Sequence, residues 1–183
     1  MSTIPGRDRQ TLLVIDVQSD VVAGSWQRDS VVSSIGDLVE RARRVGTPVI
    51  WVQHSDDYLK IGSDEWRIVS ELAPKKSEPI VAKLFRSSFE GTNLEQVLRD
   101  LGATHLILCG AQSNYCVRHT LHAALERGYD VTLVSDAHTT VDEESESGTI
   151  SAAAIVEEQN SSYAHYRLPG RKCVVTSTAN IIF

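Results

Sequence analysis

The sequence predicts an α/β protein built on a mostly parallel sheet of six strands, with helices on both faces. Short continuous apolar runs alternate along the chain with segments that repeat apolar residues at helical spacing. In a sheet with one solvent-exposed face, apolar and polar residues alternate along each strand. The apolar runs lack this alternation, which indicates strands buried on both sides. Such strand–helix alternation is typical of a Rossmann-like fold, in which helical crossovers join parallel strands.

The first half of the chain contains three predicted strands, at residues 11–15, 49–52 and 79–82. An amphipathic helix is predicted between the first two, ended by a Gly-Thr-Pro sequence. Its apolar face consists of Val31, Val32, Ile35, Leu38, Val39, Ala42 and Val45. Residues 54–79 are less regular and predict a long loop with one short helix over residues 65–72.

The second half predicts three more strands, at residues 106–109, 131–134 and 173–175. Thr92 and Glu95 fit a capping box that opens a helix before the first of these strands. The helix after that strand stops at Gly128, and a further helix is predicted near residues 149–158. The acidic stretch 142–146 is interpreted as a solvated loop or a helix start.

Composition and charge are typical of an ordinary globular protein. The 183 residues suit a single domain over residues 1–183, and 42% hydrophobic residues suffice for a buried core. A formal net charge of -6 offers no basic surface to nucleic acid or an anionic membrane, and no apolar run could span a bilayer. The first residues lack a signal-peptide core, and three cysteines are too few for a disulfide framework. We therefore expect a cytoplasmic protein without nucleic-acid or membrane partners.

Two reactive side chains follow predicted strands. Asp16 ends the first strand, and Cys116 lies in the first turn of the helix after the fourth, beyond a tight turn containing Gly110. Ligands bind parallel sheets where the strand order reverses, and there the first and fourth strands are expected to be neighbours. A helix N-terminus lowers the pKa of a thiol and offers backbone N–H groups to an anion. The pattern predicts a nucleophile beside an oxyanion site, as acyl transfer requires.

Each of these residues also has an ordinary structural interpretation. Asp16 can be a loop or helix cap, although a charge so close to an apolar strand needs a cationic or proton-sharing partner. Cys116 can be a small inert residue, which is our interpretation of Cys109 and Cys173 within their apolar strands. Lys83, after the third strand, by itself indicates only a solvated loop charge.

His54 and Asp56 follow the second strand as a His-x-Asp pair. Such a pair can hold a metal ion, but no second histidine cluster follows closely. We favour hydrogen-bonding or pocket roles for both residues. His138 has no partner that the sequence identifies.

Three motifs together resemble one known family. Asp16 lies in Val-Ile-Asp-Val-Gln, Lys83 shortly precedes Arg-Ser-Ser-Phe-Glu-Gly-Thr, and Cys116 lies in Gly-Ala-Gln-Ser-Asn-Tyr-Cys-Val. Their order and spacing are similar to those of the isochorismatase-like cysteine hydrolases, which include nicotinamidases, N-carbamoylsarcosine amidases, ureidoacrylate hydrolases and streptothricin hydrolases. The resemblance covers nearly the whole chain, and a Ser-Asp-Ala sequence at residues 135–137 and Asn160 also match.

The resemblance implies a catalytic triad of Asp16, Lys83 and Cys116. It also implies a cis peptide bond between Ala111 and Gln112, with the backbone N–H groups of Gln112 and Cys116 as oxyanion donors. The activity implied is cleavage of a C–N bond (amide, ureido or lactam) in a small molecule through a thioester intermediate, without a cofactor.

Departures from the family pattern leave alternatives open. Nicotinamidases carry an Asp-x-His metal pair, whereas here His54 and Asp56 stand in reversed order without the further histidines, so we expect no metal. One alternative is a non-catalytic or redox-sensing ligand-binding protein with a reversibly oxidised thiol. Another is the isochorismatase-type hydrolysis of a vinyl ether, which uses no cysteine nucleophile. A nucleotide-binding protein is disfavoured because closely spaced glycines are missing after the first strand.

The substrate pocket is the least defined part of the prediction. The residues that can line it are Trp26, His54, Tyr58, Trp66, Phe89 and Tyr115. Each is equally plausible as packing or as a subunit contact. The resemblance further implies a homo-oligomer, either a dimer or a tetramer.

Overall fold

The computed structural model describes residues 2–183. In chain order its strands are β1 (Arg9–Ile15), β2 (Val49–His54), β3 (Ile80–Lys83), β4 (Ala103–Ala111), β5 (Asp130–Thr139), β6 (Glu143–Ser145), β7 (Gly148–Ile150) and β8 (Cys173–Thr176). Its α-helices are α1 (Arg28–Val45), α2 (Leu94–Asp100), α3 (Arg118–Glu126) and α4 (Ala152–Ala164). A π-helical turn, Ser113–Val117, joins β4 to α3, and a 3-10 turn, Thr178–Asn180, follows β8.

Six strands form one sheet in the order β3-β2-β1-β4-β5-β8, and every neighbouring pair is parallel. The predicted fold class is confirmed. The strand order reverses between β1 and β4, which pair directly with Ile15 opposite Gly110. Their carboxyl ends therefore meet at the point where parallel sheets bind ligands, as the sequence predicts.

The sheet is buried on both faces. In β1, Leu12 and Val14 pack on one side in a cluster that includes the apolar face of α1. Leu13 and Ile15 point to the other side and join a cluster that includes residues of α2 and α3. All four side chains are at most 1% exposed, so β1 is held rigidly from both faces.

The helix predicted over residues 65–72 is wrong. This segment consists mainly of turns, and several of its backbone groups bond to the chain that follows β1, with one local bond from Leu72 N–H to the Val69 carbonyl at 3.0 Å. Ser19 N–H donates to the Arg67 carbonyl at 2.8 Å, and Val69 N–H donates to the Val17 carbonyl at 3.1 Å. The segment thus packs against residues 17–20, which follow β1.

The predicted capping box forms only in part. Thr92 Oγ1 accepts from Leu94 N–H at 3.2 Å, at the start of α2, while its hydroxyl donates to the Ser88 carbonyl at 2.6 Å. Glu95 binds elsewhere, because it accepts a hydrogen bond from the Tyr129 hydroxyl at 2.9 Å. The acidic stretch begins a short hairpin of β6 and β7. The following helix begins at Ala152, three residues later than the prediction, where the Ser151 side chain accepts from Ala154 N–H.

Gly110 permits the close approach of β4 to β1. Its φ is 123°, and a Cβ placed there would lie 2.0 Å from the Ile15 carbonyl oxygen. Only glycine fits between the strands at this point. The same residue marks a register shift in the pairing of β4 with β5. In the part of the chain described, no helix is both long and apolar enough to cross a membrane.

Candidate active site

The structure brings Asp16, Lys83 and Cys116 together at the carboxyl edge of the sheet. Asp16 directly follows β1, Lys83 is the last residue of β3, and Cys116 lies in the π-helical turn after β4. Lys83 Nζ lies 2.7 Å from Asp16 Oδ2 and donates to Cys116 Sγ at 3.2 Å. The side chains of Lys83 and Asp16 are 0% and 1% exposed, so the ion pair is withdrawn from water.

Lys83 is held from several directions. Its ammonium group also donates to the Phe85 carbonyl at 3.1 Å and lies 3.4 Å from His54 Nδ1. The backbone of Lys83 pairs with His54 in the register of β2 and β3. These contacts fix the charge between the carboxylate and the sulfur.

Asp16 is a carboxylate under strong desolvation. Burial raises the pKa of Asp16 above its ordinary value of 3.8, and the charge and hydrogen bond of Lys83 oppose this only in part. Its φ of 48° lies in the left-handed region, and its N–H donates to the Val52 carbonyl at 3.0 Å. A buried carboxylate with a raised pKa is a better proton acceptor than a solvated one.

The expectation of a lowered thiol pKa at Cys116 is wrong. Burial, followed by the negative charge of Asp16, raises the pKa of the thiol to about 12 from an ordinary 9.0. The charge of Lys83 opposes this rise without overcoming it. The raised pKa favours the neutral thiol, and a thiol in this form needs a base to remove its proton before it becomes a good nucleophile.

The turn between β4 and Cys116 has an unusual backbone. The peptide bond between Ala111 and Gln112 is cis. The Gln112 carbonyl accepts hydrogen bonds from Tyr115 N–H at 3.1 Å and from Val117 N–H at 3.2 Å. These bonds hold Cys116 in a tight loop. The role of the Gln112 and Cys116 N–H groups toward an oxyanion stays a prediction.

A cavity of about 390 Å³ opens beside the sulfur. Its lining residues are Asp16, Asp20, Val21, His54, Arg86, Gln112, Tyr115 and Cys116. The volume is suited to a small molecule. Asp16 and Cys116 both line this cavity, so a ligand bound there lies beside the carboxylate residue and the thiol together.

Of the aromatic and histidine residues predicted for the pocket, only His54 and Tyr115 line this cavity. Phe89 is 8% exposed and packs against Tyr129 in the core, because the chain turns inward there. Trp26 lines a separate cavity of about 360 Å³. Trp66 uses its carbonyl to accept hydrogen bonds, as described below. Tyr58 projects into solvent at 96% exposure.

His54 and Asp56 form a hydrogen-bonded pair. His54 Nε2 lies 3.2 Å from Asp56 Oδ2, while Asp56 Oδ1 accepts from the N–H groups of Tyr58 and Leu59. These backbone hydrogen bonds lower the pKa of Asp56 below its ordinary value. Asp56 therefore shapes the loop and orients the His54 ring. Residues 2–183 contain no group of three or more His, Cys, Asp or Glu side chains arranged to hold a metal ion.

Gln18 is a site residue whose role the sequence analysis missed. Its Nε2 donates to the carbonyls of His54, at 2.9 Å, and Trp66, at 2.7 Å. Its Oε1 accepts from His54 N–H at 2.8 Å. The buried amide thus ties the end of β1 to the end of β2 and to the loop beyond. The available signal was an amide two residues after Asp16, at the end of an apolar strand.

His138 also has partners, contrary to the expectation from the sequence. Asn160 Nδ2 donates to the Ser135 carbonyl at 3.1 Å, which leaves Asn160 Oδ1 to accept from His138 Nε2–H at 3.0 Å. His138 Nδ1 then accepts from the Ser113 hydroxyl at 2.8 Å. This chain fixes the first residue of the π-helical turn to β5 and α4.

Tyr115 connects the cavity to the β6–β7 hairpin. The Arg86 guanidinium lies over the Tyr115 ring, 4.2 Å from its centroid. The Tyr115 hydroxyl donates to Glu143, which also accepts from Asn114 Nδ2 at 3.2 Å. Glu143 raises the pKa of the Tyr115 hydroxyl above its ordinary value. The ring is therefore held at both its face and its edge.

The isochorismatase-domain family model matches residues 10–161, a span that contains all of the residues described at this site. The chain belongs to the isochorismatase family. Streptothricin hydrolase from Streptomyces noursei is 36% identical over 143 residues, which are 74% of this chain and 56% of that protein. The chain thus spans little more than half the length of this relative.

Solved structures share the fold closely. An isochorismatase from Pseudomonas putida has a TM-score of 0.87 and 29% identity, covering 95% of this chain and 90% of the other. A cysteine hydrolase from Pseudomonas syringae pv. phaseolicola has a TM-score of 0.85 and 25% identity, covering 97% and 95% of the two chains.

Proposed function

We propose that the protein is a cysteine hydrolase that cleaves a C–N bond of a small molecule through a thioester on Cys116. The observation that carries the proposal is the contact of one buried ammonium with both a carboxylate and a sulfur beside a cavity of small-molecule size. The family relatives named as hydrolases support the same conclusion.

In the first step, the Asp16 carboxylate accepts the proton of Cys116, and the sulfur lone pair attacks the carbonyl carbon of the substrate. Both the charged Asp16 and the thiolate are favoured by the adjacent Lys83 ammonium. Because the resting thiol has a pKa of about 12, proton removal by a neighbouring base is necessary for attack at neutral pH.

In the second step, the tetrahedral intermediate collapses and the C–N bond breaks. Asp16 returns its proton to the departing nitrogen, which leaves as a neutral amine or ammonia, and an acyl thioester remains on Cys116. Asp16 then removes a proton from water, whose oxygen attacks the thioester. The carbon–sulfur bond breaks to release the acid, and Asp16 passes this proton to the departing sulfur, which restores the thiol and the carboxylate. The backbone N–H groups of Gln112 and Cys116 are the proposed oxyanion donors in both halves of the reaction.

The raised pKa of the Cys116 thiol also favours hydrolysis over redox sensing. Redox-sensor cysteines are exposed and carry a low pKa, because the thiolate is the form that oxidants attack. Partial burial and the charge of Asp16 instead raise the pKa of Cys116. The position of the proton acceptor beside the sulfur suits a poor nitrogen leaving group, since this group must be protonated as it departs.

The proposal is tested by trapping the acyl-enzyme. Rapid acid quenching with a small-amide panel, followed by mass spectrometry, is expected to show an acyl adduct on the peptide containing Cys116. Cys116→Ala and Asp16→Asn are each expected to abolish turnover. Cys173→Ala is the matched control, because Cys173 is also a partly exposed thiol with a raised pKa, about 11, but lies on the edge strand β8. Amide hydrolysis that persists in Cys116→Ala would contradict the proposal.

A further inference from the structure

We infer that the substrate, under the proposed function, is a small zwitterionic amide, whose anionic group binds Arg86 and whose ammonium group faces Asp20. Both residues line the cavity that contains Cys116. The inference rests on the charges of this cavity that the proposed chemistry leaves unused.

The position of Arg86 suits the binding of a planar anion. Its guanidinium carbon lies over the Tyr115 ring, 4.2 Å from the ring centroid, at the distance of a cation–π contact. The N–H donors of a guanidinium lie in one plane, as a fork that matches the two oxygens of a carboxylate. Within residues 2–183, Arg86 makes no ion pair with an acidic side chain.

The Tyr115 ring beneath Arg86 is itself held in place. Glu143 accepts from the Tyr115 hydroxyl and from Asn114 Nδ2, and Thr140 Oγ1 donates to Asn114 Oδ1 at 2.8 Å. The Tyr115 ring therefore has little freedom to move away. An arginine held on such a ring loses less conformational entropy on binding than a free one.

Asp20 supplies the opposite charge. Its backbone is anchored, because its N–H donates to the Glu65 carbonyl at 3.1 Å and its own carbonyl accepts from Ala23 N–H at 3.2 Å. Its carboxylate, by contrast, has no ion-pair partner anywhere in residues 2–183. The other carboxylate of the cavity, Asp16, is already paired with Lys83.

The cavity thus has one free cation and one free anion among the described residues that line it. A substrate with a single charge would satisfy only one of them, and a neutral substrate would satisfy neither. A zwitterion pairs with both, and a cavity of about 390 Å³ has room for a molecule of amino-acid size.

The test uses four primary amides of matched length: butyramide, succinamate, 3-aminopropanamide and asparagine. These carry no charge, a carboxylate, an ammonium group, and both groups. We expect kcat/KM to be highest for asparagine and lowest for butyramide. Arg86→Gln is expected to lower kcat/KM about tenfold to a hundredfold for succinamate and asparagine alone. Asp20→Asn is expected to do the same for 3-aminopropanamide and asparagine alone.

Two matched variants control for the loss of charge. Arg127→Gln removes an arginine that stacks on Phe89 at 4.8 Å, away from the cavity, and Asp8→Asn removes an exposed carboxylate before β1. Neither is expected to change the order of the four amides. Equal kcat/KM for all four, no turnover of any, or a uniform effect of Arg86→Gln would overturn the inference. The proposed function is judged separately, by whether amide hydrolysis and an acyl adduct depend on Cys116.

Discussion

Lys83 Nζ lies 2.7 Å from Asp16 Oδ2, and neither side chain is exposed to solvent. β3 and β1 are not neighbours in the sheet, since β2 lies between them. The long lysine side chain therefore reaches past the end of β2 to the Asp16 carboxylate. The pair links the fold and the chemistry, because the charge that stabilises a buried carboxylate also contacts the sulfur.

Replacement of Lys83 by Met should leave the Asp16 charge buried without a partner. We expect Lys83→Met to lower the free energy of unfolding at neutral pH by about 3–5 kcal/mol, as is typical when one member of a buried ion pair is removed. Urea unfolding measures the change. The double variant with Asp16→Asn is expected to recover most of the loss, because it removes the orphaned charge. Strictly additive losses would show that the two residues do not interact.

The pH dependence of hydrolysis should report the ionisation of Asp16. The base acts only when deprotonated, so kcat/KM falls as the pH drops through its pKa, and burial places this acid limb above the ordinary carboxyl value of 3.8. Cys116 should contribute no alkaline rise near neutral pH, because its pKa is about 12. Asp56→Asn is the control and should keep the acid limb. A rise in kcat/KM between pH 7 and 9 would indicate a free thiolate instead.

The sequence predicted the residues that meet at the site better than their electrostatics. Asp16 and Cys116 follow apolar strands whose ends converge in a parallel sheet whatever the loops do, whereas Lys83 was predicted for the site only through the resemblance to the family. The pKa of Cys116 depends on its burial and on its distance from Asp16, which no local pattern records. A helix N-terminus alone would lower the pKa of the thiol, but the nearby Asp16 carboxylate and burial raise it.

The loops were predicted less well, because long-range partners determine their structure. Residues 65–72 have a helix-compatible composition but bond to the exit of β1. Thr92 and Glu95 match a capping motif, yet only Thr92 bonds to the start of α2, because Glu95 accepts from the Tyr129 hydroxyl instead. Similarly, the sequence cannot distinguish Phe89 from an aromatic residue that lines a pocket. The path of the backbone places its side chain in the core.

The close contact at Gly110 should make this position intolerant of any side chain. In Gly110→Ala the new Cβ would lie 2.0 Å from the Ile15 carbonyl oxygen, next to Asp16, so we expect loss of the folded protein or destabilisation of more than about 3 kcal/mol. Gly148→Ala is the matched control, since Gly148 has a φ of 122° but open space around it. It should cost about 1–3 kcal/mol, for the backbone conformation alone. Similar losses in the two variants, measured by thermal unfolding, would refute the role of the contact.

His138 should act as a positioning residue for the π-helical turn that carries Cys116. It accepts from the Ser113 hydroxyl and donates to Asn160, and burial lowers its pKa so that the neutral ring persists. We expect Ser113→Ala to lower kcat about tenfold with little change in KM, because Cys116 loses its fixed position while the cavity lining stays intact. Thr132→Ala is the matched control: it removes a hydroxyl 2.8 Å from His105, on β4 and β5 but away from the site. Equal kcat for wild type and Ser113→Ala, or equal losses in the two variants, would mean that the Ser113–His138 bond serves stability alone.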